Sequence, residues 1–220
     1  MTKSVDHPNR SADLPANTQL LFVTDPLCSW CWATLPEVMK VRDALGSRVS
    51  FDLIMGGLQV GEPDGLLGYD VKRLRKLWQE VRETTGQTFS GKIPDGFIYH
   101  SELSCRAAEI ARDLARGEPP FEFFYELQSA FYLQGLDIND PEILARLLAI
   151  ETAEVNRALQ QPEVISRTRE HFDYAKSLAA TALPQLLIDV GEGFQLLCGG
   201  YVTEEFLLPD IMNRLSASQT

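Results

Sequence analysis

Two cysteines separated by two residues, Cys28 and Cys31, have the strongest potential for chemistry in this sequence. Cysteine reacts as the thiolate, and a free thiol titrates at about 8.5. A helix N-terminus can lower that value to roughly 3.5–7.5, because its unpaired N–H groups favour an anion. A second thiol one helical turn away can close a disulfide with the first. The pair indicates redox chemistry, with Cys28 as the exposed attacking thiol and Cys31 as the resolving thiol.

The residues around this pair predict the elements that position it. The apolar run Leu20–Val23 is short and β-prone, and Asp25-Pro26 ends it before the first thiol. An amphipathic helical pattern follows and stops near Gly46. Cys28 is therefore expected at or near the N-terminus of a helix that leaves a strand.

A metal site and a structural thiol pair are the alternatives to redox chemistry. Zinc requires four ligands, which usually come from two such pairs or from one pair with spaced histidines. The other candidate ligands are Cys105, Cys198, His7, His100 and His171. None of them has ligand spacing, so we expect no metal. Ordinary burial is the expectation for Cys105 and Cys198.

Length, charge and cysteine content restrict the class of protein. The chain has 220 residues, of which 45% are hydrophobic, so it can form one domain or one domain with an insertion. A net charge of −11 argues against binding to nucleic-acid phosphates. The polar residues 1–17 lack the apolar segment of a secretion signal, and no later run approaches a membrane span. We expect a cytoplasmic protein that binds neither nucleic acid nor membrane.

The pattern along the rest of the chain predicts an α/β protein with a helical insertion. A second strand is expected at Val49–Met55, after a crossover helix, so it should run parallel to the first. Helical periodicity then dominates, and it includes an aromatic stripe from Phe121 to Tyr132 that we interpret as core. A long helix after Pro162, a β-hairpin at 186–198 and a closing helix near Thr203 complete the order.

These motifs carry a family resemblance. The element order resembles a thioredoxin fold interrupted by a helical domain, and Asp25–Trp32 resembles the active-site segment of cytoplasmic relatives of DsbA. Three further matches strengthen the likeness: Pro36 in the first helix, Ala182-Leu183-Pro184 before the third strand, and the segments Ser101–Ala107 and Ala130–Tyr132. The resemblance implies a thioredoxin-like domain at 18–60 and 160–217, with an all-helical insertion at 61–159.

The same resemblance implies an activity. Such proteins are thiol–disulfide oxidoreductases that reduce or isomerise disulfides through a mixed disulfide on the first cysteine. The implied substrate-binding residues are Ser29, Trp30, Leu183 and Pro184. Pro184 would follow a cis peptide bond opposite the redox pair, and the Leu183 backbone would pair with an extended substrate. Cysteine-containing proteins or peptides are the expected substrates, glutathione is a candidate redox partner, and no tightly bound cofactor is expected.

The dipeptide Ser29-Trp30 between the cysteines and the residue Phe22 depart from better-known relatives. Trp30 supplies no positive charge beside the thiolate, so we expect a less oxidising couple than that of a periplasmic oxidase. Phe22 stands where several relatives carry a buried acid that aids proton transfer. For Asp25 two roles remain open, a substitute for that acid and a cap on the turn, and we favour the cap.

Two other functions stay open at this point. A glutathione-dependent isomerase or transferase of the same fold superfamily would use Cys28 or Ser29 to activate a small thiol, although such enzymes usually lack the second cysteine. A non-enzymatic interaction module would use the pair only to hold a loop. Loss of Cys31 separates these functions, because only the dithiol oxidoreductase requires it for turnover.

Overall fold

The computed structural model describes residues 18–61 and 71–217. Its strands are β1 (Gln19–Thr24), β2 (Ser50–Met55), β3 (Gln185–Asp189) and β4 (Gln195–Gly199). Its α-helices are α1 (Ser29–Leu45), α2 (Val71–Thr85), α3 (Glu102–Leu114), α4 (Phe121–Tyr132), α5 (Pro141–Leu148), α6 (Thr152–Leu159), α7 (Pro162–Ser177) and α8 (Glu204–Ala217). The polar N-terminal stretch and the glycine- and proline-rich segment at 62–65 lie outside the described residues.

The strands form one mixed sheet in the order β2-β1-β3-β4. β1 and β2 are parallel, with Leu20 opposite Phe51, so the predicted strand–helix–strand unit is confirmed. β3 runs antiparallel to β1, and β4 pairs antiparallel with β3 as the predicted hairpin. This is the α/β, thioredoxin-like fold class that the sequence predicts.

Alternating side chains of β1 bury the two faces of the sheet, as the twofold period of a strand requires. Leu20 and Phe22 pack into a cluster with Leu35 of α1. Leu21 and Val23 pack on the other face. The central strand is therefore buried on both sides, which fixes its register and holds its carboxyl end at the site.

Helices α2–α6 fall within the segment 61–159 that the sequence assigns to the insertion, and those exact limits stay a prediction. The aromatic stripe of α4 is confirmed as core, since Phe121, Phe124, Phe131 and Tyr132 are buried. No helix within residues 18–61 or 71–217 has the length and apolar character needed to cross a bilayer.

Helix α1 connects the sheet to the part of the chain that contains α2–α6, which we call the helical segment. It begins at Ser29, contains Pro36 and ends before Gly46, whose φ of 57° suits a residue without a side chain. Leu35 of this helix faces the sheet cluster, whereas Trp32 lies in a cluster formed largely by α2–α6. The helix that carries the cysteines is therefore buried by both parts of the protein.

Candidate active site

Cys28 is the N-cap of α1, as the sequence predicts. Its backbone is extended, and its Sγ accepts a hydrogen bond from the N–H of Cys31 at 3.3 Å. That contact uses one of the N–H groups that have no partner within the helix. The sulfur of Cys28 therefore lies against a backbone donor at the positive end of the α1 dipole.

Cys31 is in the opposite environment. It is fully buried in the first turn of α1, and burial raises the pKa of its thiol well above the ordinary value. The neighbouring sulfur of Cys28 raises that pKa further. Both residues are free thiols in the structure. The pair therefore consists of one sulfur set at a helix end and one held as a neutral thiol behind it.

The prediction of an exposed Cys28 is wrong, because this residue is only 5% exposed. The loop before β3 covers it: the Leu183 carbonyl accepts a hydrogen bond from the Cys28 thiol at a sulfur–oxygen distance of 3.7 Å. Cys28 is still the more accessible member of the pair, since Cys31 has no exposed surface. The loop that contains Leu183 is therefore the direct neighbour of the predicted attacking sulfur.

That loop contains a cis peptide bond between Leu183 and Pro184. Pro184 is buried and its carbonyl accepts the N–H of Gly200 at 2.9 Å, whereas Leu183 is partly exposed. The cis bond that the resemblance implies is confirmed. The loop also lies against the attacking sulfur, as that resemblance requires.

The two residues between the cysteines have different surroundings. Ser29 is buried, and its hydroxyl has no hydrogen-bond partner among the described residues. Trp30 is partly exposed and packs against the apolar cluster of the helical segment. Trp30 and Leu183 thus have surface available to a substrate, and the binding roles of all four predicted residues stay predictions.

Asp25 caps the turn that leads into α1. Its Oδ1 accepts the N–H of Leu27 at 2.9 Å, which confirms the favoured role. Its Oδ2 accepts the N–H of Leu58 at 2.8 Å and the hydroxyl of Ser101 at 2.8 Å, and the Cys105 thiol lies 3.8 Å away. The carboxyl is fully buried, and burial raises its pKa despite these donors.

Side chains of the helical segment hold the backbone of the same turn. The amide Nε2 of Gln128 donates to the carbonyls of Asp25 and Pro26 at 3.2 and 3.4 Å. The Tyr99 hydroxyl donates to the carbonyl of Leu27. Sequence reasoning missed both residues, because they lie more than 70 positions from the turn. The only sequence signal near them was the resemblance of the segments Ser101–Ala107 and Ala130–Tyr132 to relatives of DsbA.

Trp32, immediately after Cys31, fixes the first turn of α1 to that segment. Its ring stacks on Tyr132 with centroids 5.8 Å apart and lies 5.4 Å from the Tyr125 ring. Its Nε1 donates to the carbonyl of Thr88 at 3.0 Å. The turn and the first helical residues therefore contact the helical segment through both polar and apolar groups.

The remaining cysteines match the expectation of ordinary burial. Cys105 is fully buried on α3, and burial followed by the Asp25 charge raises the pKa of its thiol. Cys198 is half-buried on β4. In residues 18–61 and 71–217, no three His, Cys, Asp or Glu side chains converge as a metal site would require.

The chain has distant similarity to known proteins. No protein-family model matches the chain. Among curated proteins, the ClpXP adapter protein SpxH of Bacillus cereus is 22% identical over 197 residues, an alignment that covers 84% of this chain. The chain spans only 64% of the length of that relative.

Two solved structures match the chain over most of its length. A "putative protein disulfide isomerase" from Nitrosomonas europaea has 28% identity and a TM-score of 0.78, with coverage of 91% of this chain and 98% of the other. The cytosolic disulfide reductase DsbM from Pseudomonas aeruginosa has 20% identity, a TM-score of 0.70 and the same coverage, and it is also solved with GSH. Together with the sheet order, the cysteine pair that opens α1 and the cis-proline loop beside it, these matches show that this chain has a thioredoxin fold like that of DsbA-type thiol oxidoreductases.

Proposed function

We propose that the protein is a thiol–disulfide oxidoreductase that reduces or isomerises disulfides in cysteine-containing proteins or peptides. One observation carries the proposal: Cys28 Sγ sits at the N-terminus of α1, 3.3 Å from the N–H of Cys31, with the thiol of Cys31 buried behind it. A reactive sulfur with a second thiol within one helical turn is the arrangement that dithiol exchange requires.

The reaction proceeds through a mixed disulfide. The Cys28 thiolate attacks one sulfur of the substrate disulfide, a new S–S bond forms, and the other substrate sulfur leaves with the electron pair and takes up a proton. The Cys31 thiol then loses its proton and attacks Cys28, so the substrate leaves fully reduced and the pair becomes a disulfide. Because burial raises the pKa of Cys31, this second sulfur stays protonated while Cys28 reacts in the first step.

The residues beside Cys28 support a proposal for the direction of electron flow. Trp30 carries no charge, so the thiolate lacks the cationic neighbour that makes a couple strongly oxidising. We therefore propose net reduction or isomerisation in a reducing, cytoplasmic compartment. Glutathione is the proposed electron donor, a choice that the cytosolic DsbM structure with GSH supports.

A trapping experiment tests the proposal. Cys31→Ser should stop the reaction at the mixed disulfide, so cell extract should yield proteins joined to Cys28 that a reductant releases and mass spectrometry identifies. Cys28→Ser is the matched control and should capture none. If Cys31→Ser forms no adduct with proteins, peptides or glutathione, the enzyme assignment is wrong.

The same variant separates two other functions. A glutathione-dependent isomerase would give adducts with glutathione alone and would keep its turnover without Cys31. An interaction module, the role that the name of the SpxH relative describes, would keep its partner affinity in both cysteine variants. Loss of dithiol turnover with retained protein adducts supports the oxidoreductase over both.

A further inference from the structure

A buried threonine hydroxyl lies at the carboxyl end of the central strand. Thr24 is the last residue of β1 and has no exposed surface. Its Oγ1 has no hydrogen-bond partner among the residues that the structure describes. Leaving a buried hydroxyl without a partner costs stability, so such a group in a folded protein calls for an explanation. The Thr24 hydroxyl is available as a donor to a group that forms during the reaction.

The fold places this hydroxyl opposite the second cysteine. Side chains alternate along β1, so Thr24 lies on the same face of the sheet as Phe22, which packs in one cluster with Leu35 of α1. Cys31 comes four residues before Leu35, so it lies on the same side of α1, one turn nearer the N-terminus. Only the turn 25–28 separates the end of β1 from the start of α1. Thr24 and Cys31 therefore face each other.

The electrostatic surroundings of Cys31 agree with this placement. Burial and the neighbouring sulfur of Cys28 raise the pKa of the Cys31 thiol. Two hydrogen-bond donors act in the opposite direction and lower this pKa, the hydroxyl of Thr24 and the backbone N–H of Asp25. Of these two donors, the Thr24 hydroxyl is the one that a substitution can remove.

We propose that the Thr24 hydroxyl donates a hydrogen bond to the Cys31 sulfur as that sulfur becomes a thiolate, and so speeds the second step of the exchange. The inference rests on the proposed function and adds a residue to its mechanism. In that step the S–H bond of Cys31 breaks and its proton passes to water. The thiolate attacks Cys28, a disulfide forms, and the substrate sulfur leaves with the electron pair and takes up a proton. A negative charge on a fully buried sulfur requires such a donor.

The aryl disulfide dithiobis(nitrobenzoate) separates the two steps, because each step releases one coloured thiolate. With the protein in excess, attack by Cys28 releases the first thiolate at a rate that rises with protein concentration. Attack by Cys31 on the resulting mixed disulfide releases the second at a rate independent of concentration. Stopped-flow absorbance measures both phases. Cys31→Ser should lack the second phase, and Cys28→Ser gives the background from the other free thiols.

Thr24→Val replaces the hydroxyl by a methyl group and should slow the second phase about fivefold, while the first phase keeps its rate. Loss of a hydrogen bond to a charged group lowers the thiolate fraction about tenfold, and the greater nucleophilicity of the more basic sulfur offsets part of that loss. Thr24→Ser keeps the hydroxyl and should restore the second phase. The matched control is Thr168→Val, which changes a buried threonine whose hydroxyl donates to the Val164 carbonyl within α7. That variant should leave both phases unchanged.

Failure of the inference and failure of the proposed function give different results. A second phase that is unchanged in Thr24→Val, or slowed equally in Thr24→Ser, would overturn the role of the hydroxyl while the two phases of the wild type still support the oxidoreductase. Equal slowing of both phases would also overturn it, since the substitution would then disturb the whole site. Thr24→Ala also lacks the hydroxyl and should match Thr24→Val, so the test does not depend on the folding of one variant. Absence of Cys28-dependent release from the wild type would overturn the proposed function, and the inference with it.

Discussion

The turn that leads to the cysteines is supported by two regions with different tasks. The thioredoxin-like region contributes the groups that face the reacting sulfur, namely the N–H of Cys31 and the carbonyl of Leu183. The helical segment contributes groups that hold the backbone behind it, chiefly Gln128 and Tyr99. The thioredoxin-like region therefore contacts the sulfur itself, and the helical segment holds the backbone of the turn before it.

This difference explains why the helical segment does more than cover the fold. The carbonyls of Asp25, Pro26 and Leu27 precede the first turn of α1. Hydrogen bonds from Gln128 and Tyr99 of the helical segment hold these carbonyls and so fix the entry of α1. Changes in that segment should therefore lower stability, and those that release the turn should also alter the reactivity of Cys28.

Trp32→Ala should have the largest effect, because this buried ring joins α1 to the helical segment. We expect it to lower the free energy of unfolding by about 4 kcal/mol, through lost burial and the cavity that remains. Urea denaturation followed by circular dichroism measures the change. The partly exposed Trp30 is the control, and Trp30→Ala should cost clearly less. Equal losses would mean that Trp32 does not join the two regions.

Gln128→Leu should come next. It removes two donors from buried carbonyls at nearly constant volume, which we expect to cost about 2 kcal/mol of unfolding free energy. It should also slow the reaction of Cys28 with iodoacetamide, because the turn no longer aligns the Cys31 N–H with the sulfur. The exposed Gln134→Leu is the control. A loss of stability with an unchanged alkylation rate would mean that Gln128 stabilises the fold without affecting the reactivity of Cys28.

Tyr99→Phe should have a smaller effect. Only the hydroxyl that donates to the Leu27 carbonyl is lost, and a single such bond contributes about 1 kcal/mol. The ring and its contact with Phe97 remain. Thermal unfolding beside the exposed control Tyr174→Phe measures the cost. A Tyr99→Phe protein as stable as the control would show that the Leu27 carbonyl needs no donor from the helical segment.

The two regions were not equally predictable from sequence. Cys28 as N-cap, the parallel β1–β2 pair and the hairpin were predicted because each depends on a local pattern of strand residues, breakers and caps. Gln128 and Tyr99 were not, because periodicity identifies an inward face without naming its contact. The exposure of Cys28 was wrong for the same reason, since Leu183 covers it from 155 positions away. The features that could not be predicted are therefore those that depend on contacts between residues far apart in the sequence.

The last prediction concerns Asp25, which belongs to the thioredoxin-like region and contacts both regions. Its effect on the unfolding free energy should depend on pH. Burial raises the pKa of this carboxyl, so the folded protein holds that proton more tightly than the unfolded chain. Its contribution to stability is then largest below the usual aspartate range of about 4, and it is lost as pH rises through the raised pKa. Asp25→Asn removes the titration.

The unfolding free energy of the wild type minus that of Asp25→Asn should therefore fall as pH increases from about 4 to 8. Urea denaturation at several pH values gives this difference, and the exposed Asp173→Asn supplies the baseline. A difference that does not fall between about pH 4 and 8, and instead falls only on acidification below about 4, would mean that the donors on the carboxyl from Leu27, Leu58 and Ser101 outweigh burial. Asp25 would then stabilise the junction as a carboxylate, and the loop that carries Leu58 would be held by charge.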